Sequence, residues 1–310
     1  MMPFADLHCD TVRNLAIWEF DGDLASNGGH LDLSRMEACG SKLQFFACFT
    51  DRMERSENID TCMKMVDYFG RQAEQYKNRM QWVKNASDLQ TDKLCGLLSI
   101  EDGGVIENSE SLLDELFQKG VRSVTLTWNS PNSLGYPNYD FEHHDKGLTV
   151  FGKKMTEKMA EQGIIVDVSH LSDAGFWDVA DILKTPFIAS HSNARDIHHH
   201  ARNLTDPMIR RIAEVGGVIG LNFFAQFLDG SEYMTLEALV RHFDHIYRVG
   251  GADVLALGSD FDGIDCGLEI GGVEGLPCIE SALVQAGYSA DVIEKALWKN
   301  AFRVVGDVLK

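Results

Sequence analysis

The chain has 310 residues, 45% hydrophobic and 24% charged, the balance of a packed globular protein and not of a disordered one. Its 47 acidic and 28 basic side chains leave a net charge of −19, which repels phosphate backbones and argues against a nucleic-acid partner. Seven cysteines without a C-x-x-C pair, an amino terminus (MMPFADLHCD) without basic or apolar leader regions, and no apolar stretch near the roughly 20 residues of a bilayer span predict a cytoplasmic protein with neither disulfides nor a membrane partner.

Short apolar, β-prone runs recur along the chain at residues 4–9, 43–49, 94–100, 121–126, 164–168, 186–189, 218–223 and 254–257. Segments of helical period separate them, including 148–162, 206–215 and 236–249. Gly163 stands where a left-handed cap belongs, and Thr205 or Asp206 can cap a helix with Pro207 in its first turn. Continuous apolar strands alternating with helices predict a parallel sheet covered on both faces. Eight such units favour one α/β domain over residues 1–310, a closed (β/α)₈ TIM barrel; the absence of a G-x-G-x-x-G turn after the first run weakens a dinucleotide-binding alternative.

In such a barrel the chemistry sits at the carboxyl ends of the strands. The first run ends in His8-Cys9-Asp10, whose i and i+2 side chains project to one side as a half-site for a divalent ion. By itself H-x-D is a weak signal. His170 and His191 close two successive runs, and strands about 4.8 Å apart let two imidazoles converge. Glu101 closes the third run and has two oxygens with which to bridge two cations; unpaired, it would be costly to bury. Asp260 closes the last run, placed to take a proton from an activated water, whereas Asp262 in Asp-Phe-Asp-Gly reads as turn chemistry. His198, His199 and His200 read as a solvated loop, and His143 and His144 lie in a long connection after the fourth run.

Taken together these motifs resemble the membrane (renal) dipeptidase family of zinc peptidases, which belongs with the amidohydrolase-like barrels. The likeness runs from Asp6-Leu7-His8-Cys9-Asp10 to Asn300-Ala301-Phe302-Arg303-Val304 and is most specific at Ile100-Glu101-Asp102-Gly103, Asp167-Val168-Ser169-His170, Ser190-His191-Ser192-Asn193, Arg202-Asn203 and Gly258-Ser259-Asp260-Phe261-Asp262-Gly263. The resemblance implies two divalent ions, zinc by preference, with His8 and Asp10 on one, His170 and His191 on the other, and Glu101 bridging both. It implies Asp260 as the acid/base, with Glu101 also in the catalytic set, and Arg202 holding the substrate's terminal carboxylate, a task suited to a bidentate guanidinium. The implied partner is a small dipeptide, with a D-residue tolerated at its carboxyl-terminal position and attacked by a hydroxide bridging the metals; a homodimer is left open.

Two positions depart from the family pattern. Trp128 stands where better-known members carry a histidine that contacts the substrate carbonyl, so Trp128 and Asn129 are candidate substrate contacts, with Asn222 at the end of the seventh run a third; Phe224 stands where eukaryotic relatives carry a tyrosine. Rival readings are a hydrolase of N-acyl amino acids or lactones and a non-catalytic metal- or peptide-binding relative. Residues 121–128 lack the lysine with which many amidohydrolase barrels bridge their metals.

Overall fold

In a computed structural model, residues 2–18, 20–50, 55–89 and 92–310 are described. The eight expected runs become strands β1 (Phe4–Asp6), β2 (Ser41–Phe49), β3 (Leu94–Glu101), β4 (Val121–Thr125), β5 (Ile165–Asp167), β6 (Ile188–Ala189), β7 (Val218–Leu221) and β8 (Leu255–Leu257). Each pairs in parallel with its neighbours in sequence, and Asp6 opposite Leu257 joins β1 to β8. This is a closed (β/α)₈ TIM barrel. Helices return the chain between strands, among them Arg55–Gln75, Glu110–Gln118, Val150–Gln162, Asp173–Ile182, Asp206–Glu214 and Leu236–Gly250.

The barrel is apolar at one end and polar at the other. Ala5, Leu43, Phe45, Cys95, Leu97, Ile165, Ile188 and Val218 fill its lower interior together with Val304, Val305 and Leu309 of the carboxyl-terminal segment. The alternate residues of β3, Leu98 and Ile100, face outward into the helical layer. Alternation from Cys95 and Leu97 therefore turns Ser99 and Glu101 inward at the upper end. Glu101, Thr125 and Asp167 are aligned by the register of β3, β4 and β5, so polar groups meet at one level of the barrel mouth.

Local chemistry sets several boundaries. Gly163 ends Val150–Gln162 at φ 77°, a left-handed conformation that favours glycine. Pro207 lies in the first turn of Asp206–Glu214, as expected, but the capping expectation needs correction. Thr205 holds the cap position without a side-chain cap bond, and Asp206 accepts from His245 Nε2 at 2.6 Å instead. A short strand, Met80–Trp82, was not expected; it pairs with the first residues of β3, and three residues are too few to show a period. None of the seven cysteines forms a disulfide. Among the described residues no helix is long and apolar enough to cross a membrane.

Candidate metal centre

Beyond Asp6 the first strand continues as a bridge in which Cys9 pairs with Phe261, and Cys9 packs outward into the helical core. His8 and Asp10 flank Cys9, so both turn the other way, and His8 Nε2 lies 3.5 Å from Asp10 Oδ2. The same nitrogen is 3.2 Å from Glu101 Oε2 and 3.9 Å from Asp260 Oδ1. On the far side of Glu101, Oε1 is 3.1 Å from His170 Nε2 and 3.7 Å from His191 Nε2, and those two nitrogens are 2.9 Å apart. Glu101 thus has Oε2 beside His8 and Oε1 beside His170 and His191. All five residues are buried.

His170 (φ 66°) and Asp260 (φ 63°) hold left-handed backbone at their strand ends. This is uncommon for residues with a Cβ, at a cost of about 1–3 kcal/mol each, and concentrates at functional sites. Gly258 and Gly220 let three strand ends close up. A Cβ on either would meet the Ser190 carbonyl oxygen. That approach packs the chain just before His191 against β7 and the end of β8.

The electrostatics call for cations. Burial pushes the Glu101 carboxyl up to about 7, against the pull of His8, and raises Asp260 in the same way. Burial, reinforced by Arg202 and His8, drives the imidazoles of His170 and His191 well below their ordinary range. His8 alone goes up, because Glu101 and Asp10 outweigh its burial. Asp10 Oδ1 is buried with no hydrogen-bond partner among the described residues. Three imidazoles and two carboxylates are a donor set suited to zinc and similar divalent ions. An orphaned carboxylate oxygen and two imidazole nitrogens at 2.9 Å fit that group.

A cavity of about 780 Å³ opens over Asp10, Glu101, His170 and Asp260. Phe49, Trp128, Tyr139, Phe224 and Phe227 supply an aromatic wall, and Asn129 also lines it. Trp128 packs tilted against Phe49 at 4.7 Å between ring centroids and stands 6.3 Å from the His170 ring. Asn129 Oδ1 accepts from His170 Nδ1 at 3.0 Å, so Asn129 also orients a metal-facing histidine.

Two expected substrate contacts, Asn222 and Arg202, are buried behind the residues that line the cavity. Asn222 is fully buried and off the cavity wall; its Nδ2 donates to Asp260 Oδ2 at 3.0 Å and its Oδ1 accepts from Phe224 N at 2.6 Å. It holds Asp260 because the end of β7 lies beside the end of β8. Arg202 is 3% exposed, behind His191, with Nη2 donating to the His191 carbonyl oxygen at 3.3 Å. Its guanidinium lies 5.3 Å from the Phe227 ring centroid, and burial pulls its pKa down to about 10. Asp262 is the structural residue expected, bonded to Thr11 Oγ1 at 2.5 Å and His30 N at 2.6 Å.

The cavity also has members that the sequence reading missed. The Arg13 guanidinium lies between Trp18 and Phe49, 4.1 and 4.2 Å from their ring centroids. Arg13 follows Asp10 by one helical turn, and that i+3 spacing was the signal available. The solvated-loop reading needs correction at His200, which lines the cavity; burial, then Arg202, pushes its imidazole down to about 4. From the long connection, Tyr139 and Asp140 line the cavity instead of His143 and His144.

Comparison with known proteins gives the family and the fold. The sequence model of the membrane dipeptidase family (peptidase family M19) matches residues 1–310. A dipeptidase of Claviceps purpurea is 32% identical over 301 residues, 90% of this chain and 69% of that protein. The crystal structure of a metallopeptidase described as dipeptidase AC superposes with a TM-score of 0.91 at 27% identity, covering 99% of both chains. A metallopeptidase from Rhodobacter sphaeroides, solved with a phosphinate mimic of the dipeptide L-Ala-D-Ala, gives a TM-score of 0.91 at 26% identity, again over 99% of both chains.

Proposed function

Because the chain belongs to the membrane dipeptidase family, we propose that it hydrolyses the peptide bond of dipeptides, tolerating a D-residue at the carboxyl-terminal position, with two divalent cations, zinc by preference. The observation that carries this reading is the division of Glu101, with Oε2 3.2 Å from His8 and Oε1 3.1 Å from His170. One carboxylate with different imidazole neighbours on its two oxygens is the arrangement a bridging ligand needs. His8 and Asp10 would hold one ion and His170 with His191 the other. When bound, such ions polarise the scissile carbonyl and lower the pKa of a water to about 7, giving a hydroxide nucleophile at neutral pH. The D-residue rests on the L-Ala-D-Ala mimic held by the Rhodobacter relative.

The chain's own residues do the rest. Asp260 turns Oδ1 toward the site while Asn222 holds Oδ2, so one oxygen is anchored and the other accepts a proton and returns it to the departing amine. Arg202 supplies positive charge behind the imidazoles for the dipeptide carboxylate, fixed by its bond to the His191 carbonyl. Trp128 and Phe49 wall the cavity and exclude water from the reacting bond.

The test is a panel of L,L- and L,D-dipeptides, N-acyl amino acids and lactones, assayed with zinc, manganese or cobalt. Dipeptides are expected to be the best substrates, with L,D pairs cleaved. Faster turnover of lactones or N-acyl amino acids, or tight dipeptide binding without cleavage in metal-loaded protein, overturns the assignment.

A further inference from the structure

Asp167 ends β5 inside the barrel and is 1% exposed. Its Oδ1 accepts the backbone N–H groups of Ser169 and Ser190, each at 2.9 Å. Its Oδ2 accepts the hydroxyls of Thr125 at 2.6 Å and Ser190 at 2.5 Å. A carboxylate offers only lone pairs, so the one hydroxyl proton of Ser190 is committed to Asp167. Ser190 Oγ also lies 2.7 Å from His191 Nδ1 and, at a longer 3.3 Å, from Ser169 Oγ, which has a hydroxyl proton of its own to donate. With its proton engaged, that oxygen can only accept there. His191 must then carry its hydrogen on Nδ1, which leaves the Nε2 lone pair facing Glu101 and His170.

We propose that Asp167, acting through Ser190, is a positioning residue that fixes His191 as the Nδ1–H tautomer and so prepares its Nε2 to bind a cation. The inference rests on the metal-centre reading above. A second buried aspartate supplies an internal control. Asp6 ends β1 and binds Ser259 in the same manner, with Oδ1 accepting from Ser259 N at 2.8 Å and Oδ2 from Ser259 Oγ at 2.5 Å. There the hydroxyl's other neighbours are the His8 carbonyl oxygen at 3.3 Å and Phe261 N at 3.1 Å, both backbone. The same clamp therefore reaches an imidazole only between β5 and β6.

The geometry fixes what Asp167→Asn does. Two backbone N–H groups face Oδ1, so the new amide must present its oxygen to them and its NH₂ to Ser190. Ser190 then accepts from the amide and donates to its nearer acceptor, His191 Nδ1 at 2.7 Å against Ser169 Oγ at 3.3 Å, which places the ring hydrogen on Nε2, where a cation should bind. Ser190→Ala removes the relay without reversing it. Loss of a group that orients a metal-binding imidazole weakens metal affinity by about 10–100-fold. We expect Ser190→Ala to lie in that range at one of two zinc sites and Asp167→Asn to be the weaker binder of the two.

The experiment is chelator-competed zinc titration together with ¹⁵N spectra of histidine-labelled protein, metal-free and zinc-loaded. Wild type and Asp6→Asn are expected to show His191 protonated on Nδ1, and Asp167→Asn on Nε2. Ser190→Ala deletes a single hydroxyl and keeps the test open if Asp167→Asn fails to fold. A wild-type His191 unprotonated on Nδ1, or unchanged zinc affinity in Ser190→Ala, overturns the relay. Wild-type protein that takes up no divalent metal refutes the metal-centre reading instead, and the metal-free spectra still judge the relay.

Discussion

Replacing Asp260 by asparagine separates proton transfer from architecture. Asp260 Oδ2 accepts from Asn222 Nδ2 at 3.0 Å, and Oδ1 lies 3.9 Å from His8 Nε2. In Asp260→Asn only the amide oxygen can accept the Asn222 N–H, so the amide NH₂ takes the place of Oδ1 and faces the site. Shape and the Asn222 bond survive; the proton acceptor does not. General acid–base groups contribute about 10²–10⁴ in rate, which corresponds to about 3–5 kcal/mol of barrier. His8 lies nearer Glu101, at 3.2 Å, and Asp10, at 3.5 Å, than Asp260, so both metal half-sites should persist. The assay is initial-rate kinetics on an L,D-dipeptide with metal content measured on the same sample. We expect kcat to fall by 10²–10⁴ with KM and metal content little changed. Turnover within threefold of wild type refutes the acid/base role, and metal lost in step with activity makes Asp260 a ligand instead.

Arg202→Met is expected to raise KM for dipeptides by at least about 30-fold, since loss of a buried charge partner costs about 2–5 kcal/mol, and to spare dipeptide amides, which lack the carboxylate. Equal losses on both substrate classes would rule out carboxylate recognition. Gly258→Ala drives a methyl group onto the Ser190 carbonyl oxygen. The ends of β6, β7 and β8 must part, so a loss of about 3 kcal/mol in denaturant titration and weakened zinc binding are expected; wild-type values for both would show that the close approach is dispensable. His242 is fully buried, and its imidazole is pushed by burial down to about 4. Its folded value lies below its unfolded 6.5, so its contribution is complete above pH 6.5 and is lost as pH falls toward 4. That difference corresponds to about 3 kcal/mol. Denaturant titrations at pH 7 and 4.5 should show a smaller drop in His242→Phe than in wild type; an equal drop removes His242 as the cause.

The sequence alone determined the eight strands and the donors at their ends, because both are local. Short apolar runs alternating with helical segments mark buried parallel strands, and the polar residue that closes such a run reaches the barrel mouth. His8, Asp10, Glu101, His170 and His191 were legible for that reason, and the structure brings them together. Only the tertiary structure decided which side chains those donors lean on. Asn222 meets Asp260 across 38 positions, Ser190 meets Asp167 across 23, and Arg202 lies behind His191 through a loop without a periodic pattern. The three loop histidines 198–200 are alike in the sequence, yet only His200 lines the cavity. Such contacts depend on how strands are registered and where loops cross, and a one-dimensional pattern of apolar and polar residues does not encode those distances.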